Sequence, residues 1–119
     1  MESQMTRTIT REELARRIQS DKPPVLLEAL PERYYVQKHL PGALLFPHDQ
    51  AATLAPTVVP DRGAQIVVYC ASRTCQNSHV AAQQLTRLGY TDVTVYAGGK
   101  QDWEEGGLPF ETADATAAA

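Results

Sequence analysis

The chain holds two cysteines, Cys70 and Cys75, separated by four residues, and this pair is where its sequence offers covalent chemistry. A thiolate, unlike a thiol, is a strong nucleophile, so the surroundings of each sulfur decide what it can do. Cys70 follows Ile66-Val67-Val68-Tyr69, an apolar and largely β-branched run, and precedes the small, polar stretch Ala71-Ser72-Arg73-Thr74-Cys75-Gln76-Asn77-Ser78. A cysteine placed between a buried strand and a helix N-terminus can receive backbone N–H groups and the positive end of the helix dipole. Such a loop can curl around the sulfur as an anion nest, which makes Ala71, Ser72, Arg73, Thr74 and Gln76 the expected substrate-binding residues. Arg73 is the only charged side chain between Cys70 and the helix. The Cys70 thiolate is therefore expected to titrate below the free-cysteine value of about 8.5. Periodicity alone also allows Cys70 to be a small buried residue that finishes a strand. Cys75 keeps two readings open: a resolving thiol within loop-closing reach of Cys70, or a helix-start residue packed into the core.

The other metal-binding residue types are dispersed. His39, His48 and His79 stand far apart and no ligand spacing links them to the cysteines, so neither a metal nor another cofactor is expected. Two reduced cysteines so close together are also too few for the disulfide framework of a small secreted domain.

Strands and helices must position Cys70. Thr10-Arg11-Glu12-Glu13 has capping-box spacing and predicts a helix over about 11–19, with Leu14 and Ile18 on its apolar face and Pro23-Pro24 beyond its end. Val25-Leu26-Leu27 reads as a buried strand, Pro31 through Tyr35 as a short helical stretch, and Ala43 to Phe46 as a second strand after the Pro41-Gly42 turn. Pro47, Pro56 and Pro60 predict an irregular segment over 47–63. Ile66–Tyr69 is the clearest strand, of the type covered on both faces. Ala81, Leu85 and Leu88 recur at helical spacing and predict a helix over about 77–88 ended by Gly89; Val93–Tyr96 is another strand, Gly98-Gly99 a turn, and 100–105 a short helix carrying Trp103. Alternating strands and helices predict an α/β domain, a mostly parallel central sheet with helices on both faces, whose ligands bind beyond the carboxyl ends of the strands.

Composition agrees. The chain of 119 residues is 43% hydrophobic and 21% charged, ordinary values for one folded domain. A net charge of −3 argues against nucleic acid or an anionic membrane surface as partner. Residues 1–6 are expected to be a flexible start without an apolar anchor, 112–119 a frayed Ala/Thr tail, and the cytoplasm the compartment.

Three separated motifs resemble the rhodanese family of single-domain sulfurtransferases over about 7–111. Val25-Leu26-Leu27-Glu28 through Lys38-His39-Leu40-Pro41-Gly42-Ala43 resembles its first signature. Tyr69-Cys70 with Ala81-Ala82, Leu85 and Leu88-Gly89-Tyr90 resembles its active-site strand, loop and helix. Tyr96, Gly98-Gly99, Trp103 and Gly107-Leu108-Pro109 resemble its closing signature. The resemblance implies a rhodanese-like fold, a Cys70 persulfide, a small sulfur-containing donor, and a thiol or cyanide-type acceptor, with a protein acceptor left open. It gives His39 a structural role and Trp103 a place in the core or at its rim.

The sequence departs from the family at two places. The D-x-R of the first signature is Glu28-Ala29-Leu30 here, and a later glutamate is Tyr34, so the charges there are either rebuilt or missing. Cys75 stands where a basic or hydroxyl residue is common. A non-enzymatic or redox-sensing module using Cys70 and Cys75 is the alternative reading. A cysteine phosphatase or arsenate reductase is disfavoured, because those phosphatases have an arginine clamp where this loop has Gln76.

Overall fold

The computed structural model describes residues 7–112. Five strands, β1 (Arg7–Thr8), β2 (Val25–Glu28), β3 (Leu44–Leu45), β4 (Ile66–Tyr69) and β5 (Val93–Tyr96), form one parallel sheet in the order β1-β5-β4-β2-β3. Four α-helices connect them, α1 (Arg11–Ile18), α2 (Glu32–Gln37), α3 (Ala51–Val58) and α4 (Asn77–Arg87), and a fifth, α5 (Gly99–Glu105), follows β5. Among the described residues no helix is long and apolar enough to cross a membrane.

The period of two along β4 builds both layers of core. Ile66 and Val68 join Leu27, Ala51, Ala55, Ala81 and Leu85 under α3 and α4, whereas Val67 and Tyr69 join Leu14, Leu26, Tyr96 and Trp103 under α1 and α5. Strands covered on both faces need no polar alternation, which is why β4 is buried at every position. Registry then pairs Tyr69 with Glu28 of β2 and with Tyr96 of β5.

Local signals act as chemistry dictates, with three departures. At α1 the Thr10 hydroxyl accepts from the Glu13 N–H at 3.1 Å, but the Glu13 carboxylate turns to Arg16 and Arg17 instead of back to the cap. The segment 47–63, expected to be irregular, contains a 3-10 turn at His48–Gln50 and then α3, with Pro56 inside it. Ala51 and Ala55 bury completely, and Leu54 and Val58 pack against the same cluster, so tertiary burial overrides the lost amide. Pro47 and Pro60 bound this helical segment. Finally, β1 is two residues long among the described residues, too short there to leave a periodic signal. The predicted tail falls almost wholly outside the described residues, as does the flexible start at 1–6.

Candidate active site

Alternation settles where the Cys70 sulfur goes. Tyr69 faces the α1 and α5 side, so Cys70, one residue further and just past the carboxyl end of β4, turns to the opposite face and meets the start of α4. Cys70 is only 2% exposed. Its Sγ lies 3.5 Å from Ser78 Oγ and 3.3 Å from the carbonyl oxygen of Cys75, with the Ser72 carbonyl oxygen at 4.0 Å. Both cysteines are free thiols. A turn closed by the Cys75 N–H donating to the Ser72 carbonyl at 3.1 Å folds the loop back over the sulfur.

This environment changes the expectation for ionisation. Burial pushes the Cys70 thiol up from its ordinary value, and its hydrogen bond with the Cys75 side chain adds to the rise; hydrogen bonds from the Ser78 hydroxyl and N–H oppose it. The expected depression below 8.5 does not hold in this conformation. Burial of the sulfur is the main reason, and loop carbonyls, rather than a ring of N–H groups, face it. Ser78, buried in the first turn of α4, supplies the donors that stabilise a thiolate.

Beneath the loop lies a polar network that rebuilds the charges missing from the first signature. Glu28 is completely buried, and its Oε1 accepts from the Tyr69 hydroxyl at 2.7 Å; that hydroxyl accepts in turn from the Leu40 N–H at 3.0 Å. The other carboxylate oxygen faces Lys100 Nζ at 2.8 Å, and the same ammonium donates to the Tyr34 carbonyl at 2.9 Å. Burial of a hydroxyl beside a carboxylate pushes the Tyr69 phenol far up, so it remains a hydrogen-bond donor at any working pH. Lys100 also reaches Cys70 directly: its backbone N–H donates to the Cys70 carbonyl at 3.0 Å, and the Gln101 N–H donates to the Ala71 carbonyl at 2.9 Å. Gly99 makes this approach feasible. It sits at φ +67°, and a Cβ there would collide with the Cys70 carbonyl oxygen. The glycine pair of the closing signature thus brings the start of α5 against the backbone of the cysteine loop.

The remaining expected residues divide. Ala71, Ser72, Thr74 and Gln76 lie in the loop, where the Ser72 and Thr74 hydroxyls pair at 3.2 Å and the Gln76 side chain makes no cap hydrogen bond. Arg73 is exposed and lines a cleft of about 360 Å³ with Arg11, Tyr96, Gly98 and Asp102, and no bond joins it to the Cys70 sulfur. Cys75 is half-buried beside Cys70. His39 is buried, stacked on Tyr35 with ring centroids 4.0 Å apart, and paired through its backbone with Glu111. His48 lies in the 3-10 turn and His79 in α4, and neither is among the groups bonded to the Cys70 sulfur. Trp103 is buried and donates to the Pro109 carbonyl at 2.8 Å. No metal-binding cluster occurs among the described residues.

Sequence reasoning named neither Ser78 nor Lys100 as a site residue. Ser78 was signalled by its place in the first turn after the loop. Lys100 was signalled only indirectly, by an acidic residue ending the apolar strand Val25-Leu26-Leu27 without a local partner.

Comparison with known proteins supplies a second line. The model of the rhodanese-like domain matches residues 10–106. The thiosulfate sulfurtransferase PspE of Escherichia coli (strain K12) is 36% identical over 73 residues, which span 61% of this chain and 66% of that protein. A solved rhodanese with anions from E. coli superposes with a TM-score of 0.64 at 28% identity, covering 76% of this chain and 99% of the other. A human single-domain sulfurtransferase shares the fold with a TM-score of 0.73 at 22% identity, over 85% and 97% of the two chains.

Proposed function

The chain belongs to the rhodanese-like family, and from that premise we propose that it is a sulfurtransferase carrying sulfane sulfur on Cys70 as a persulfide. The donor is a small sulfur-containing anion and the acceptor a thiol or a cyanide-type nucleophile. One observation carries the reading: the single cysteine at the carboxyl end of the central strand is enclosed by a loop and touches the donors of Ser78 at the start of α4.

The reaction follows from that placement. Cys70 first loses its proton to solvent. Its thiolate then attacks the outer sulfur of the donor; with thiosulfate the new S–S bond forms as the old one breaks, and sulfite leaves with the bonding pair. The resulting persulfide anion takes hydrogen bonds from the Ser78 hydroxyl and N–H, the same groups that favour the thiolate. An acceptor thiolate or cyanide attacks the outer sulfur and restores Cys70. We assign the loop Ala71–Gln76 to donor contact, with Arg73 supplying positive charge at its outer side. The resting carbonyl orientation at Ser72 and Cys75 opposes an anion, so donor binding requires these peptides to turn.

Thiosulfate is the first donor to test, because the E. coli relative is named for it. Thiocyanate formation from thiosulfate and cyanide is expected from the wild-type protein and lost in Cys70→Ser, with intact mass spectrometry showing one added sulfur on the wild type alone. Activity that persists in Cys70→Ser would overturn the assignment.

A further inference from the structure

The proposed cycle uses one sulfur, yet the loop brings a second nucleophile against it. Cys70 Sγ lies 3.3 Å from the carbonyl oxygen of Cys75, and backbone bond lengths put that oxygen within about 2.8 Å of the Cys75 Cα. The Cys70 sulfur is therefore within about 6 Å of the Cys75 Cα. The turn from Ser72 to Cys75 holds the second cysteine there, and the Cys75 side chain is near enough to act on the ionisation of Cys70. Cys75 is half-buried while Cys70 is almost wholly covered, so the outer group is the one open to reductants. Ala71, Ser72, Arg73 and Thr74 contain neither proline nor a positive-φ residue, and the loop tip makes few bonds to the domain.

Building on the persulfide reading, we propose that Cys75 resolves the Cys70 persulfide, giving the protein a second activity: release of hydrogen sulfide when no external acceptor is present. The Cys75 sulfur attacks Cys70 Sγ, forming the Cys70–Cys75 disulfide as the Sγ–S bond of the persulfide breaks. The terminal sulfur departs with the bonding pair and takes the Cys75 thiol proton, leaving as hydrosulfide. Both cysteines are oxidised to the disulfide, and the sulfane sulfur is reduced to sulfide. A dithiol reductant then reduces the disulfide by exchange and closes the cycle. The substrate class is the same sulfane-sulfur donor; what changes is the fate of the sulfur, set by whether an acceptor or Cys75 reaches it first.

The full chain, reduced and then incubated with thiosulfate or inorganic polysulfide without acceptor, tests this. Intact mass should show one added sulfur that gives way to a monomer two hydrogens lighter than the reduced protein, with an equivalent of sulfide released. Cys75→Ser and Cys75→Ala should both lengthen the persulfide lifetime at least about tenfold and stop sulfide release in the absence of added reductant. Two substitutions guard against one of them disturbing the loop, and circular dichroism checks that each remains folded. Equal lifetimes in wild type and folded variants, or a disulfide found only between two chains, would overturn the inference while leaving the persulfide reading intact. Failure of any donor to add sulfur to Cys70, even in the Cys75 variants, would instead overturn the persulfide reading, and the resolving role with it.

Discussion

The floor beneath Cys70 and the roof above it are built on opposite plans. The floor is buried and heavily bonded: Glu28, Tyr69 and Lys100 form a chain of charges and hydrogen bonds, and α5 pins the carbonyls of Cys70 and Ala71. The roof, from Ser72 to Gln76, is mostly exposed and is held chiefly by one turn and one hydroxyl pair. The division falls at Ala71. Below it, the bonds from α5 fix the sulfur at the end of the strand; above it, few hydrogen bonds restrain the peptides. Under the proposed persulfide cycle the site alternates between thiol, thiolate and persulfide and needs both, because a rigid roof would favour only one of these states.

The sharpest way to break this comparison is at the floor. Lys100→Met leaves the buried Glu28 carboxylate without its ammonium and should cost about 3–5 kcal/mol in urea unfolding. Adding Glu28→Gln removes the stranded charge, keeps an acceptor for Tyr69, and should recover most of that loss. A cost for Lys100→Met within about 0.5 kcal/mol of zero would show that the floor is no firmer than the roof.

Gly99→Ala comes next. A side chain at positive φ costs about 1–3 kcal/mol, and here its Cβ also collides with the Cys70 carbonyl. We expect a lower urea midpoint together with loss of sulfur transfer; unchanged transfer in a folded variant would show that the Cys70 carbonyl need not be pinned.

Ser78→Ala sits at the boundary and should act on ionisation more than on folding. Removing the hydroxyl takes away a group that stabilises the thiolate, so the Cys70 pKa, already raised by burial, rises further. Below the pKa the thiolate fraction falls tenfold per unit, so iodoacetamide alkylation near neutral pH should slow by about tenfold for a shift of one unit. Linkage has a definite sign here. Because the folded pKa is raised, the unfolded chain ionises first; stability is complete below the ordinary thiol value and falls as pH rises through the folded one. An alkylation profile that levels off below about 8.5 in the wild type would contradict the raised value.

The smallest effect belongs to the roof. Arg73→Ala should change stability by less than about 0.5 kcal/mol while raising KM for an anionic donor. Unchanged kinetics would leave donor binding to the loop backbone.

This same division explains what could be read from the sequence. Strand β4, the cysteine at its end and the Leu-spaced helix α4 were legible because each is a local pattern of side chains. The floor was not, since Glu28 and Lys100 are far apart in the chain and only strand pairing and the Gly98-Gly99 turn bring them together. The carbonyl orientation around Cys70 was also hidden: peptide direction leaves no mark on composition, so the same loop residues suggested an N–H nest. Helix α3 was obscured by Pro56, whose local penalty is visible in the sequence while the burial of Ala51 and Ala55 is not.

The sheet has a further consequence at its margins. Among the described residues both outer strands, β1 and β3, are two residues long, while the longer apolar strands β2, β4 and β5 lie between them. A foreign strand docking at the β3 edge would find only a short row of backbone groups, too few to template continued pairing. The aggregation hazard carried by Val25–Glu28, Ile66–Tyr69 and Val93–Tyr96 is thus confined to the interior, where each of these strands already has a neighbour on both sides.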